Sequence, residues 1–64
     1  LVVNAGTVTI RGGQFMGNIT VAVGASLTLE SCNALGTTAV EGTLTATDLC
    51  NFNNVPTGGG TITT

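Results

Sequence analysis

A chain of 64 residues with 6% charged residues, no histidine and a net charge of −2 leaves few functional classes open. Arg11 is the only cation, too little to neutralise a run of phosphates, so a nucleic-acid partner is excluded. Two cysteines without histidine are too few for a closed zinc site, so no metal and no cofactor is expected.

The chain is 42% apolar, yet Phe15 and Phe52 are its only aromatic residues, so a thin core of small aliphatics is expected. Appreciable hydrophobicity with little charge is the reverse of a disordered composition, and a weakly charged surface suits assembly. No apolar run approaches the roughly 18 residues of a membrane span. The sequence opens on Leu1 rather than Met. Residues 1–64 are therefore expected to be one β-solenoid segment, a processed product or a piece of a longer or polymerised chain.

Short apolar alternations separated by Gly and Asn turns run the length of the chain. Leu1 and Val3 form a first inward pair, followed by the corner Asn4-Ala5-Gly6. The strand Thr7 to Ile10 turns Val8 and Ile10 inward and ends at Arg11-Gly12-Gly13. Gln14 and Met16 are expected inward next, then the corner Gly17-Asn18 and the inward pair Ile19 and Val21. After Val23-Gly24 the pattern repeats. Leu27 and Leu29 point in, Glu30-Ser31 turns, Cys32 and Ala34 point in, Leu35-Gly36 turns, and Thr37 and Ala39 point in. A third pass runs Glu41-Gly42, Leu44 and Ala46, Thr47-Asp48, Cys50 and Phe52, Asn53-Asn54, then Val55 and Thr57. Gly58-Gly59-Gly60 leads into Thr61 to Thr64, with Ile62 inward.

Gly6, Gly24, Gly42 and Gly60 lie at a constant step of 18, and the triplets TVT, SLT, TLT and TIT have centres 19, 17 and 18 residues apart. Wrapped at that period, the chain predicts an all-β parallel β-solenoid of about 18 residues per coil, with three short strands per coil and about 3.5 coils. An antiparallel sandwich also has strands at short intervals, but gives no reason for a fixed glycine step.

The stacking brings particular residues together. Arg11 and Glu30 fall one rung apart and are expected to pair, Asn33 and Asn51 to form an amide ladder, and Pro56 to sit at an edge or bulge because it cannot donate. Cys32 and Cys50 also stack. Adjacent rungs are about 4.8 Å apart, within the range a disulfide spans, so the two are either bridged or small buried thiols. No histidine stands by to activate a thiol. Glu30 and Asp48 share a corner, but paired carboxylates need a cleft to hydrolyse a sugar, and they are read as corner charges. Neither glycine-rich stretch has the Gly-Lys-Ser/Thr of a phosphate loop. The chain is therefore not expected to be an enzyme. Asn18-Ile19-Thr20 has the letters of a glycosylation sequon, which makes Asn18 a candidate site.

The one candidate functional surface is a double file of hydroxyls, Thr7 and Thr9, Ser26 and Thr28, Thr43 and Thr45, and Thr61 and Thr63. This Thr-x-Thr array resembles the insect ice-binding β-solenoids, which implies ordered water and an ice partner. The stretches NAGTVTIRGGQFMGNITV and VGASLTLESCNALGTTAV resemble the repeats of parallel β-helix surface proteins, with bacterial autotransporter adhesins the nearest comparison. In period, MGNITVAVGASLTLE is similar to bactofilins, which polymerise. These resemblances imply a scaffold, an adhesin or a filament, and no catalytic residue. A shaft segment of a trimeric phage or viral fibre is a further alternative.

The last row and the residues ahead of Gly6 together make most of one coil, so copies are expected to stack end to end. The expectation is a structural protein of an extracellular filament or adhesive stalk, at the cell or virion surface. Its partner is itself, with ice or a glycan as an alternative contact for the threonines.

Overall fold

The computed structural model describes residues 1–47 and 49–64 and has no helix among them. Eight strands appear in chain order: β1 (Val2–Val3), β2 (Thr7–Phe15), β3 (Ile19–Val21), β4 (Ser26–Ala34), β5 (Thr38–Val40), β6 (Thr43–Ala46), β7 (Asn51–Phe52) and β8 (Thr61–Thr63). Every pairing between them is parallel. Equivalent strands recur at about 18 residues, and the chain winds as a parallel β-solenoid of about three turns.

The pairing forms two sheets rather than three separate sides. β1, β3 and β5 make one, and β2, β4, β6 and β8 make the other, with β7 also on β4. The expected corners at Gly12-Gly13 and Ser31 are present, but β2 and β4 run through them as nine-residue strands. The bend comes from left-handed backbone, with φ of 72° at Gly12 and 57° at Ser31. Glycine adopts that region freely; serine does so at a cost of about 1 kcal/mol.

Inside the coil, side chains stack in register. Val8, Leu27, Leu44 and Ile62 form one column, and Ile10, Leu29 and Ala46 a second. Phe15, Ala34 and Phe52 form a third, large over small over large. Val3, Val21 and Val40 line the opposite sheet. The central members Leu27, Leu29, Val21, Val40 and Leu44 are fully buried, while Val8, Ile10, Phe15, Phe52 and Ile62 are covered only in part. The outer rungs have a neighbour on one side only, and that is the physical origin of the gradient.

Several expected positions shift by one. Phe15, not Gln14 or Met16, faces inward, and Met16 is 74% exposed. Thr38 and Val40 replace Thr37 and Ala39 as inward residues. Leu1, Val55 and Thr57 are exposed, not interior. One cause covers the Phe15 and Thr38 shifts. β2 pairs β4 with Thr7 on Ser26, and β3 pairs β5 with Ile19 on Thr38, each one residue beyond the glycine step. A slip of one residue moves every side chain to the other face.

The glycine step is therefore not the structural register. Backbone bonds run from Ser26 N to Gly6 O, from Thr43 N to Ala25 O and from Thr61 N to Gly42 O. Ala25, rather than Gly24, is thus the counterpart of Gly6 and Gly42. The connection after β3 is the long Ala22-Val23-Gly24-Ala25, whereas that after β5 is only Glu41-Gly42. The uneven spacing of the Thr triplets is the true rung pitch, and the corners absorb the difference.

Candidate functional site

The continuous sheet of β2, β4, β6 and β8 carries the hydroxyls on its outer face. Val8, Leu27, Leu44 and Ile62 turn inward, so period-two alternation turns their flanking residues out. Register then aligns Thr7 with Ser26, Thr43 and Thr61, and Thr9 with Thr28, Thr45 and Thr63. Both files are unbroken over four strands. Spacings are about 4.8 Å across rungs and about 6.6 Å along a strand. Ser26, Thr28 and Thr43 are half-buried between neighbours, and the rest are exposed.

An ion pair borders the files. Arg11 Nε donates to Glu30 Oε2 at 2.8 Å, on directly paired positions of β2 and β4. This hydrogen bond, and behind it the charge of Glu30, holds the guanidinium above its ordinary pKa. The other expected carboxylate, Asp48, lies outside the described residues.

Cys32 is buried and Cys50 half-buried, and both thiols are free. Cys32 Sγ lies 3.3 Å from Glu30 O and 3.6 Å from Ile10 O, and Cys50 Sγ 3.3 Å from Leu29 O. Each S–H thus donates to a carbonyl near the same corner.

Asn18 is exposed at its corner, and its Oδ1 accepts from Thr37 Oγ1 at 2.7 Å and Thr37 N at 3.2 Å. Asn51 Nδ2 donates to Asn33 Oδ1 at 3.1 Å, while Asn53 and Asn54 donate to the carbonyls of Leu35 and Gly36 one rung above. Sequence reasoning identified the Asn33–Asn51 contact but missed the last two, whose signal was their position at the same corner of successive coils. Pro56 lies outside any strand, and the rung beneath β5 is reduced to a single bridge between Ala39 and Thr57.

Among the described residues there is no pocket and no group of three metal-ligating side chains. Among them, too, no helix is long and apolar enough to cross a membrane. Comparison with protein-family models, with curated proteins and with solved structures gave no match.

Proposed function

We propose that this β-solenoid is a non-catalytic structural element that stacks end to end in an extracellular filament or adhesive stalk, in the manner of the β-helical surface proteins it resembles. The carrying observation is the state of the outer rungs. β2 and β8 each lie at a margin of the larger sheet, and β1 at a margin of the smaller one. A sheet margin offers unpaired N–H and C=O groups to another strand.

The apolar columns also stop half-covered at both margins, at Val8, Ile10 and Phe15 on one and at Phe52 and Ile62 on the other. Thr61-Ile62-Thr63 of β8 has the same out-in-out pattern as Thr7-Val8-Thr9 of β2. A rung from β2 of a second copy placed beneath β8 would repeat the parallel pairing that β6 already makes with β8. It would also cover the exposed column ends.

Electron microscopy over a hundredfold concentration range tests this reading. Unbranched filaments, with an axial repeat near 4.8 Å in fibre diffraction, are expected; a chain that stays monomeric at the highest concentration overturns it.

A second reading rests on a different observation, the unbroken register of the two Thr files. A periodic array of hydroxyl and methyl groups on one sheet is suited to ordering water, and under this reading the face binds ice. Ice-crystal shaping by the monomeric chain would favour it, and unshaped growth would remove it.

A further inference from the structure

Cys32 is buried within β4, and Cys50 lies half-buried just ahead of the two-residue β7. Asn33 and Asn51 are direct partners between β4 and β7, so Cys32 and Cys50, each one residue earlier, flank the same parallel pairing. Parallel neighbours about 4.8 Å apart fall within the Cα separation a disulfide accepts. Both sulfurs bond to one short segment, Cys32 Sγ to Glu30 O and Cys50 Sγ to Leu29 O, and Cys50 Sγ also lies 3.9 Å from Thr47 Oγ1. From Asn51 to Thr57 the strand pairing to the second coil is reduced to the two residues of β7 and the single bridge of Ala39 to Thr57, supplemented by side-chain bonds from Asn51, Asn53 and Asn54.

We propose that Cys32 and Cys50 form a reversible disulfide between adjacent rungs, a redox-operated staple that fastens the third coil to the second. The oxidant is a low-molecular-weight disulfide such as oxidised glutathione. The half-buried Cys50 is the accessible thiol. Its thiolate, having lost a proton to solvent, attacks one glutathione sulfur, forming a mixed disulfide and expelling one glutathione thiolate. Cys32, buried and adjacent, then loses its proton and attacks Cys50 Sγ, forming the Cys32–Cys50 bond and expelling the second glutathione. One disulfide is reduced to two thiols and two protein thiols become one disulfide, so electrons and protons balance.

The test is equilibration of the intact chain against a series of reduced and oxidised glutathione ratios, in native buffer and in denaturing urea. Intact mass and thiol trapping report the products. In native buffer the expected product is a monomer lighter by two hydrogens that keeps its β circular-dichroism spectrum. Its oxidation constant should exceed that of the unfolded chain by on the order of tenfold or more, because the fold raises the effective concentration of the thiols. Amide exchange over residues 49–57 should slow on the order of a hundredfold on closure. Cys32→Ser should stop at the mixed disulfide on Cys50. A native constant equal to or below the unfolded one, a persistent mixed disulfide in the unsubstituted chain, dimers through Cys50, or loss of the β spectrum on closure would each overturn the proposal.

Discussion

Thr38 sits directly beside Ile19 in the interior of the smaller sheet, and its hydroxyl, fully buried, has no hydrogen-bond partner among the described residues. Its neighbours in that interior, Val21 and Val40, are aliphatic. A buried polar group without a partner costs about 1–3 kcal/mol. Thr38→Val keeps the branched shape and removes the orphan. It should stabilise the chain by about 1 kcal/mol, seen as a higher urea midpoint at unchanged slope. A lower midpoint would mean that the hydroxyl is satisfied.

Corner glycines differ in what they tolerate. A Cβ at Gly42 would run into the carbonyl oxygens of Ala25 and Ala22 on the rung above, which are backbone atoms and cannot swing away. At Gly17 a Cβ meets nothing within 4 Å. Gly42→Ala should therefore cost about 3 kcal/mol and Gly17→Ala less than about 0.5 kcal/mol. Thermal or urea unfolding of the two variants side by side checks the contrast, and equal effects would contradict the close approach of the rungs.

The burial gradient along one column sets a second contrast. Leu44 is fully buried between Leu27 and Ile62, whereas Ile62 is covered only in part. Leu44→Ala should cost about 3–5 kcal/mol, a large share of the roughly 3–10 kcal/mol that holds a chain of this size. Circular dichroism should show it largely unfolded at ambient temperature. Ile62→Ala should remain folded.

Assembly has its own variant. Ile62→Lys places a charge at the column end where a second copy is proposed to dock. The variant should keep the β spectrum of the monomer and form no filaments under conditions in which the unsubstituted chain does. Filaments of normal length from Ile62→Lys would show that β8 is not the joining edge.

The Arg11–Glu30 pair makes a quieter prediction. Arg11 is 80% exposed, and solvent and salt screen such a pair. Its raised folded pKa implies stability present below the unfolded value and lost only as pH rises through the higher folded value. That window lies outside any working range. Arg11→Met should leave the melting temperature unchanged within error and add no pH dependence between neutral pH and mild alkali. A clear drop would point to a role beyond the pair.

Much of this was legible from the letters. The strands around Val8, Leu27, Leu44 and Ile62 were readable because each has Thr or Ser on both sides of an aliphatic residue, and a strand sends alternate residues to opposite faces. The pairing of Arg11 with Glu30 and of Asn33 with Asn51 was readable for the same reason, from the recurrence of equivalent corners. Gln14-Phe15-Met16 and Thr37-Thr38-Ala39-Val40 were not. Each reads acceptably in two registers one residue apart, and the even glycine step favoured the wrong one. Val40 in line with Val3 and Val21 was the available clue, since it places the larger aliphatic inside.

The sequence by itself determined the period, the solenoid architecture and the double file of hydroxyls, because repeated local alternation and turn residues are enough to define them. Only the tertiary structure decided which residue of each corner pairs with which, and so whether Phe15 or Met16, Thr38 or Thr37, points inward. That choice belongs to the inter-rung hydrogen bonds, which join residues a full coil apart. A corner such as Ala22-Val23-Gly24-Ala25 can lengthen by one residue to keep those bonds and the buried columns intact.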